Sequence, residues 1–266
     1  MKKTIFRYNI DIISVLLVIF IIYISILPIY FELNTFYIII IVGLLAFAKP
    51  ITSLIQHNHV HLNIFNYKPL NVIFDLLLAI STGHICSEWI LHHNIGHHKS
   101  VINSENDTSR VKNLKTGKYM TKMEYILTGS IKIYPECFKI ALNFYKEGKK
   151  YYLIKFILES IFIISLHIFL LLVNFKMTMF FLLIPNIINR ALVWLGAYWN
   201  HLEVPSNSIY DSANMYEGPI FNFISFNIGY HVVHHEKPTL HWSKLPERTF
   251  QILDKIPRKN ILQKLP

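Results

Sequence analysis

Four long apolar runs constrain most strongly what this chain can fold into. A helix needs about 20 apolar residues to cross the hydrocarbon core of a bilayer. A backbone inside lipid must also satisfy its own hydrogen bonds, which a helix does. We therefore predict four transmembrane helices. Lys49-Pro50 interrupts the apolar run of the second, and that helix is expected to continue past the bilayer surface to His57 and His61. The runs cover residues 12–30, 36–55, 153–174 and 179–199.

A fifth apolar stretch, residues 70–91, begins after Pro69 and contains Asp75, His84 and Glu88. Its length permits a span, but histidine clusters flank it on both sides and must lie on one side of the membrane to share a site. We expect this segment to enter the membrane partly, or to lie in the interface, and to return. The predicted fold is an all-α integral membrane protein with this helix, four spans and a cytoplasmic helical cap.

The composition supports a membrane protein with a basic cytoplasmic face. Hydrophobic residues make up 53% of the 266 residues and charged residues only 16%, which is too apolar for an ordinary soluble domain. The net charge is +10. Because basic residues gather near Lys2, Lys3 and Arg7 and across residues 99–155, the positive-inside rule explains them better than nucleic-acid binding does. Both termini are predicted to be cytoplasmic.

The rest of the chain is predicted to form the cap of a single domain, residues 1–266. Residues 125–144 have the periodicity of an amphipathic helix broken near Pro135, and residues 221–235 fit one helix. The basic tail, residues 244–264, is expected to cover the surface. Cys86 and Cys137 form no metal-binding pair.

Histidines form three clusters, each next to an apolar run. On an α-helix, His93 and His97 share a face and His98 lies beside them; His57 and His61 have the same spacing. Buried imidazoles need partners, and a metal satisfies several at once. Nine rings are too many for one ion and suit two. Imidazole fits iron, zinc, copper and nickel alike. The nine are His57, His61, His93, His97, His98, His201, His231, His234 and His235.

These motifs resemble those of the integral-membrane fatty acid desaturase superfamily, which includes hydroxylases and alkane oxygenases. The closest resemblance is to short bacterial members. It is carried by Leu91-His92-His93-Asn94-Ile95-Gly96-His97-His98 with Asp107-Thr108-Ser109-Arg110, and by Gly229-Tyr230-His231-Val232-Val233-His234-His235 with Pro238, His241-Trp242-Ser243 and Leu245-Pro246.

The resemblance implies a histidine-bound centre of two iron ions on the cytoplasmic side, in a bacterial inner membrane. With O2 as co-substrate, such a centre removes two hydrogens from a fatty acyl chain, or in the alternative hydroxylates a lipid or alkane. The eight box histidines are carried over as ligands, and His201 matches the family's extra histidine. No catalytic residue is expected beyond the metal centre, and His59, His92 and His241 stay unassigned.

The predicted partners are a lipid substrate, the membrane and an external electron donor. The His-Pro-Gly-Gly signature of a fused cytochrome b5 is absent, so a ferredoxin-like protein is expected to supply electrons. The side chains expected to orient the ligands are Asp75, Glu88, Asn200, Asp211 and Asn227. A metal transporter or sensor would spread its histidines through the spans, and a zinc hydrolase would need a carboxylate base that does not stand out.

Overall fold

The computed structural model describes residues 4–102 and 105–262. Lys2, Lys3 and the end of the basic tail at Lys264 therefore lie outside the described residues. The α-helices are α1 Ile12–Ile26, α2 Thr35–His61, α3 Lys68–Thr82, α4 Cys86–Trp89, α5 Lys122–Lys146, α6 Tyr151–Val173, α7 Phe175–Thr178, α8 Ile184–His201, α9 Pro219–Ile224, α10 His231–Glu236 and α11 Leu245–Ile252. Two π-helical segments, Ile90–His97 and Met179–Leu183, and two short strands, β1 Met215–Tyr216 and β2 Ile261–Leu262, complete the main elements.

The chain divides into two compact units. The first contains Met1–Trp89 and Cys137–Leu192, and the second contains Ile90–Glu136 and Val193–Pro266. Within residues 4–102 and 105–262, four helical stretches are long and apolar enough to cross a membrane, which confirms the predicted number of spans. They are Asn9–Tyr30, Thr35–His61, Tyr151–Val173 and Phe175–His201.

Asparagine caps explain where two of the spans begin. The Asn34 side chain accepts a hydrogen bond of 3.2 Å from the Tyr37 amide at the start of α2. Asn174 accepts one of 3.1 Å from the Met177 amide at the start of α7. An Asn at this position satisfies an amide that the helix leaves without a partner. Both caps lie in short polar connections, so consecutive spans form hairpins.

The second span continues as α2 through Pro50 to His61, as predicted. The break predicted near Pro135 was wrong, because α5 continues to Lys146. A proline inside a helix removes one backbone hydrogen bond and disturbs one turn. The remaining bonds of these long helices, 27 and 25 residues, maintain the helix on both sides of the ring.

The fifth apolar stretch does not form one straight helix. α3 has Pro69 in its first turn and ends at Gly83, whose φ of 76° terminates the helix in the left-handed conformation. The helix resumes at Cys86, and the chain bends by 94° at this break.

The second unit lacks the single helix predicted for residues 221–235. α9 ends at Ile224, and α10 begins only at His231. Between them Phe226 and Asn227 have φ values of 54° and 62°, which no helix accommodates. The Asn222 side chain instead accepts a hydrogen bond from the Gly229 amide. β1 pairs in parallel with β2, which ties residues 261–262 to the unit.

Candidate metal centre

The second histidine cluster lies on a π-helical segment, which changes the expected pairing of its rings. The His98 amide donates to the His93 carbonyl at 2.9 Å, a bond across five residues instead of four. His93 and His98 therefore face each other, with 3.0 Å between their Nε2 atoms. The prediction of an α-helical turn was wrong, although the rings of His93 and His97 remain neighbours, with 5.3 Å between their centroids. π-helical turns are rare and recur at functional sites.

A first group of converging nitrogens is formed by His93, His98 and His234. The Nε2 atom of His98 lies 3.0 Å from Nε2 of His93 and 3.0 Å from Nε2 of His234. A neutral imidazole nitrogen has either one N–H or one in-plane lone pair. Nε2 of His98 can therefore form a good hydrogen bond with His93 or with His234, but not with both. A shared cation would satisfy all three rings.

A second group contains His97, His201 and His235, whose candidate ligand nitrogens all lie within 4.8 Å of one another. His231 lies beside it, with its Nε2 3.2 Å from that of His235 and 3.4 Å from that of His201. Burial lowers the pKa of His235 well below its ordinary value. The ring is therefore neutral near pH 7, which is the form that binds metals.

The spacing of these nitrogens fits metal coordination. Two nitrogens bound to one ion at about 2.1 Å stand about 3.0 Å apart at a right angle and about 3.4 Å apart at the tetrahedral angle. The Nε2 contacts within the first group, and those from His231 to the second group, run from 3.0 to 3.4 Å. The donors are all imidazoles, which suit iron and zinc among other ions. The residues present thus fit a histidine-bound metal.

Asp107 and a backbone carbonyl fix two of these rings. Oδ1 of Asp107 lies 2.7 Å from Nδ1 of His97, and it also accepts a hydrogen bond of 2.8 Å from the Ser109 amide. Nδ1 of His201 lies 3.2 Å from the Ser212 carbonyl. Such contacts leave Nε2 with its lone pair available to a metal. Burial raises the pKa of Asp107, and the Ser109 amide opposes that rise.

Asp107 was missing from the residues predicted to orient the ligands. The signal was present in the sequence, because the acidic stretch after the second cluster begins with it. Gly96 lets this stretch approach closely, since a Cβ there would stand 2.6 Å from the Thr108 side chain.

The first unit contains the remaining predicted ligands, His57 and His61, near the end of α2. Their ring centroids are 5.0 Å apart, as the spacing of four residues predicts. Nδ1 of His57 lies 3.2 Å from the Asn58 side-chain oxygen.

Four of the five side chains expected to orient the ligands make other contacts, and for Asn200 the contact is made by its backbone. Asp75 pairs with Lys155 at 2.6 Å, and Glu88 pairs with Arg190 at 3.0 Å. Asn227 donates to the Trp242 carbonyl, and Asp211 accepts from the Ser208 amide. The Asn200 carbonyl accepts from the Asn214 amide.

The unassigned histidines have distinct surroundings. Fully buried His59 lies 3.2 Å from Asp75 and accepts from the Ile64 amide. His92 lies 3.3 Å from the Thr108 carbonyl. His241 caps the turn at Trp242–Lys244 by accepting from the Ser243 amide.

Comparison with known proteins gives the family. A search of curated proteins finds no match to the chain. The family model described as fatty acid desaturase matches residues 7–263, which includes all four spans and every histidine of the two nitrogen groups. The chain therefore belongs to the fatty acid desaturase family.

Proposed function

We propose that this protein is a membrane-bound, O2-dependent fatty acyl desaturase with a histidine-bound di-iron centre. The observation that carries the proposal is the convergence of imidazole nitrogens in two groups, His93–His98–His234 and His97–His201–His235, in a chain of this family. Nε2 of His98 lies 3.0 Å from two other ring nitrogens, and a single ring nitrogen does not form good hydrogen bonds with both.

The proposed ligands are the nine histidines named from the sequence. His231 is included because of its contacts with His201 and His235. His57 and His61 are included because of their spacing and the family resemblance. When bound, the two irons supply the oxidising power of O2 reduction. The protein holds the rings neutral and fixes their orientation, as Asp107 does for His97.

The apolar spans suit delivery of an acyl chain from the bilayer. Each buried CH2 contributes about 0.8 kcal/mol, so a chain passes from lipid to an apolar site at little cost. We place the protein in a bacterial inner membrane with both termini and the metal centre cytoplasmic, since basic residues mark that side. An external donor such as a ferredoxin supplies the electrons, and a basic face favours its approach.

The test is expression in a host with defined fatty acids, followed by mass spectrometry of the lipids. Desaturation predicts products that have lost two hydrogens, whereas a gain of one oxygen would make the protein a hydroxylase. His97→Ala and His234→Ala should abolish the product and lower the iron content. His241→Asn is the matched control, because Asn also caps the turn. A folded sample that contains one zinc and no iron would overturn the proposal.

A further inference from the structure

A buried polar cluster in the first unit surrounds the break between α3 and α4. Its members come from the middle of α2, from residues 81–84 and from α8. Most of them satisfy one another. Gln56 donates to the His84 carbonyl and accepts from the Thr82 hydroxyl. Asn189 donates to the Thr82 carbonyl and accepts from the Ser53 hydroxyl.

Lys49 is the first exception. Its side chain is fully buried, and Nζ donates one hydrogen bond, to the Ser81 carbonyl at 2.7 Å. This is its one hydrogen bond within residues 4–102 and 105–262. A lysine amino group has further N–H donors, and a buried donor without a partner costs about 1–3 kcal/mol.

His84 supplies a second buried hydrogen-bond donor, its ring N–H. Its Nδ1 lies 3.0 Å from an Arg190 guanidinium nitrogen, which can only donate, so Nδ1 accepts and Nε2 carries the proton. Nε2 is buried and has no hydrogen-bond partner in the described part of the chain. The residue is 3% exposed, so bulk water does not replace the missing partner.

Asn186 supplies a buried hydrogen-bond acceptor, its side-chain oxygen, in the same cluster. Nδ1 of His167 donates to the Ile163 carbonyl, so Nε2 of that ring accepts from the Asn186 amide at 3.4 Å. The Asn186 oxygen is buried and lacks a partner among the residues described. Its side chain packs against Gly83, where a Cβ would stand 2.6 Å from the Asn186 Cγ. Asn186 therefore packs against the break between α3 and α4, next to the residue that precedes His84.

The depth of this cluster limits what its partner can be. Lys49 precedes His57 by eight residues and lies near the middle of Thr35–His61, so it is about 12 Å from His57 along the helix axis. Lipid headgroups stay at the interface, where charge is hydrated. A polar group that reaches the middle of a span must therefore arrive on the far end of an apolar chain.

We propose that Lys49, His84 and Asn186 bind an oxygen-bearing group, a hydroxyl or carboxyl, at the distal end of the lipid substrate's chain. Such a group accepts from Lys49 and His84 and, when it carries a proton, donates to Asn186. Holding the chain at its far end fixes which CH2 stands at the metal centre. This inference rests on the proposed desaturase function, whose substrate class it narrows.

The experiment compares binding of an ω-hydroxy fatty acid with binding of the plain fatty acid of the same length to the purified full-length protein. We expect the ω-hydroxy acid to bind about tenfold tighter, the effect of one buried hydrogen bond to a charged group. Lys49→Met should abolish this preference. Asn186→Leu should reduce it. Lys176→Met, which removes an exposed lysine, should retain it.

Equal binding of the two acids by the unchanged protein would overturn the proposal. So would a Lys49→Met protein that has a lower melting temperature but the same preference, because Lys49 would then have a structural role and the cluster would hold buried water only. The proposed function fails separately, if neither acid is oxidised in the presence of an electron donor. Binding is measured without turnover, so the two failures are distinguishable.

Discussion

The Asp107 carboxylate holds His97 through a 2.7 Å contact between Oδ1 and Nδ1, although the two residues are ten positions apart. The side chain of His97 is fully buried. The carboxylate is itself fixed by the Ser109 amide, so the ring is held in one orientation. A carboxylate on Nδ1 also makes Nε2 the better ligand, because it stabilises the positive charge that coordination places on the ring.

Asp107→Ala should therefore weaken metal binding while the spans stay intact. We expect a fall of about 10–100-fold in metal affinity, the usual effect of removing a group that orients a metal ligand. Metal titration of the purified protein, followed by elemental analysis, measures it. Asp254→Ala removes an exposed carboxylate of the second unit and serves as the control. Unchanged affinity in Asp107→Ala would show that the ring is held without it.

Lys155 joins two buried carboxylates of the first unit, and its removal should be costly. Its Nζ lies 2.6 Å from Asp75 and 2.5 Å from Glu159. Lys155→Met would leave both acids without their cation, which costs about 3–5 kcal/mol for a buried pair. Thermal unfolding in detergent should show a clear fall in melting temperature. Lys132→Met, at an exposed position, should leave the melting temperature close to that of the unchanged protein.

His59 should matter for stability and not for metal content. It accepts from the Ile64 amide through Nδ1, so its Nε2 carries the proton that faces Asp75 at 3.2 Å. His59→Leu removes both contacts and leaves a buried amide without its acceptor, which costs about 1–3 kcal/mol. The melting temperature should fall, while iron per protein stays constant. A loss of iron without a loss of stability would instead identify His59 as a ligand.

The sequence predicts the spans well because one physical requirement determines them. A helix must be apolar over about 20 residues to cross the bilayer, and the connections at Asn34 and Asn174 contain residues that cap helices. Pro135 misled the prediction because a proline disturbs one turn, and the length of the surrounding helix decides whether the helix continues.

The grouping of the metal-site histidines was harder to predict. A π-helical turn pairs His93 with His98, and this geometry has no clear signal in the spacing of residues. The role of Asp107 depends on a loop that folds back onto Gly96, which is tertiary information. Lys49 looked like an interruption of an apolar run in the sequence, whereas its hydrogen bond joins it to the carbonyl of Ser81, 32 residues away.

Gly83 offers a test of the break between α3 and α4. Its φ of 76° strains any residue with a Cβ, and that Cβ would also stand 2.6 Å from the Asn186 Cγ. Gly83→Ala should therefore lower stability through both effects. Gly148 has a similar φ of 84°, but a Cβ added there would meet no atom within 4 Å, so Gly148→Ala isolates the backbone strain, about 1 kcal/mol. The loss of stability in Gly83→Ala should exceed the loss in Gly148→Ala by about 1–3 kcal/mol, which is the effect of overpacking. Equal losses of melting temperature in the two variants would mean that Asn186 moves aside freely, and that the close packing at this break does not hold the side chain in place.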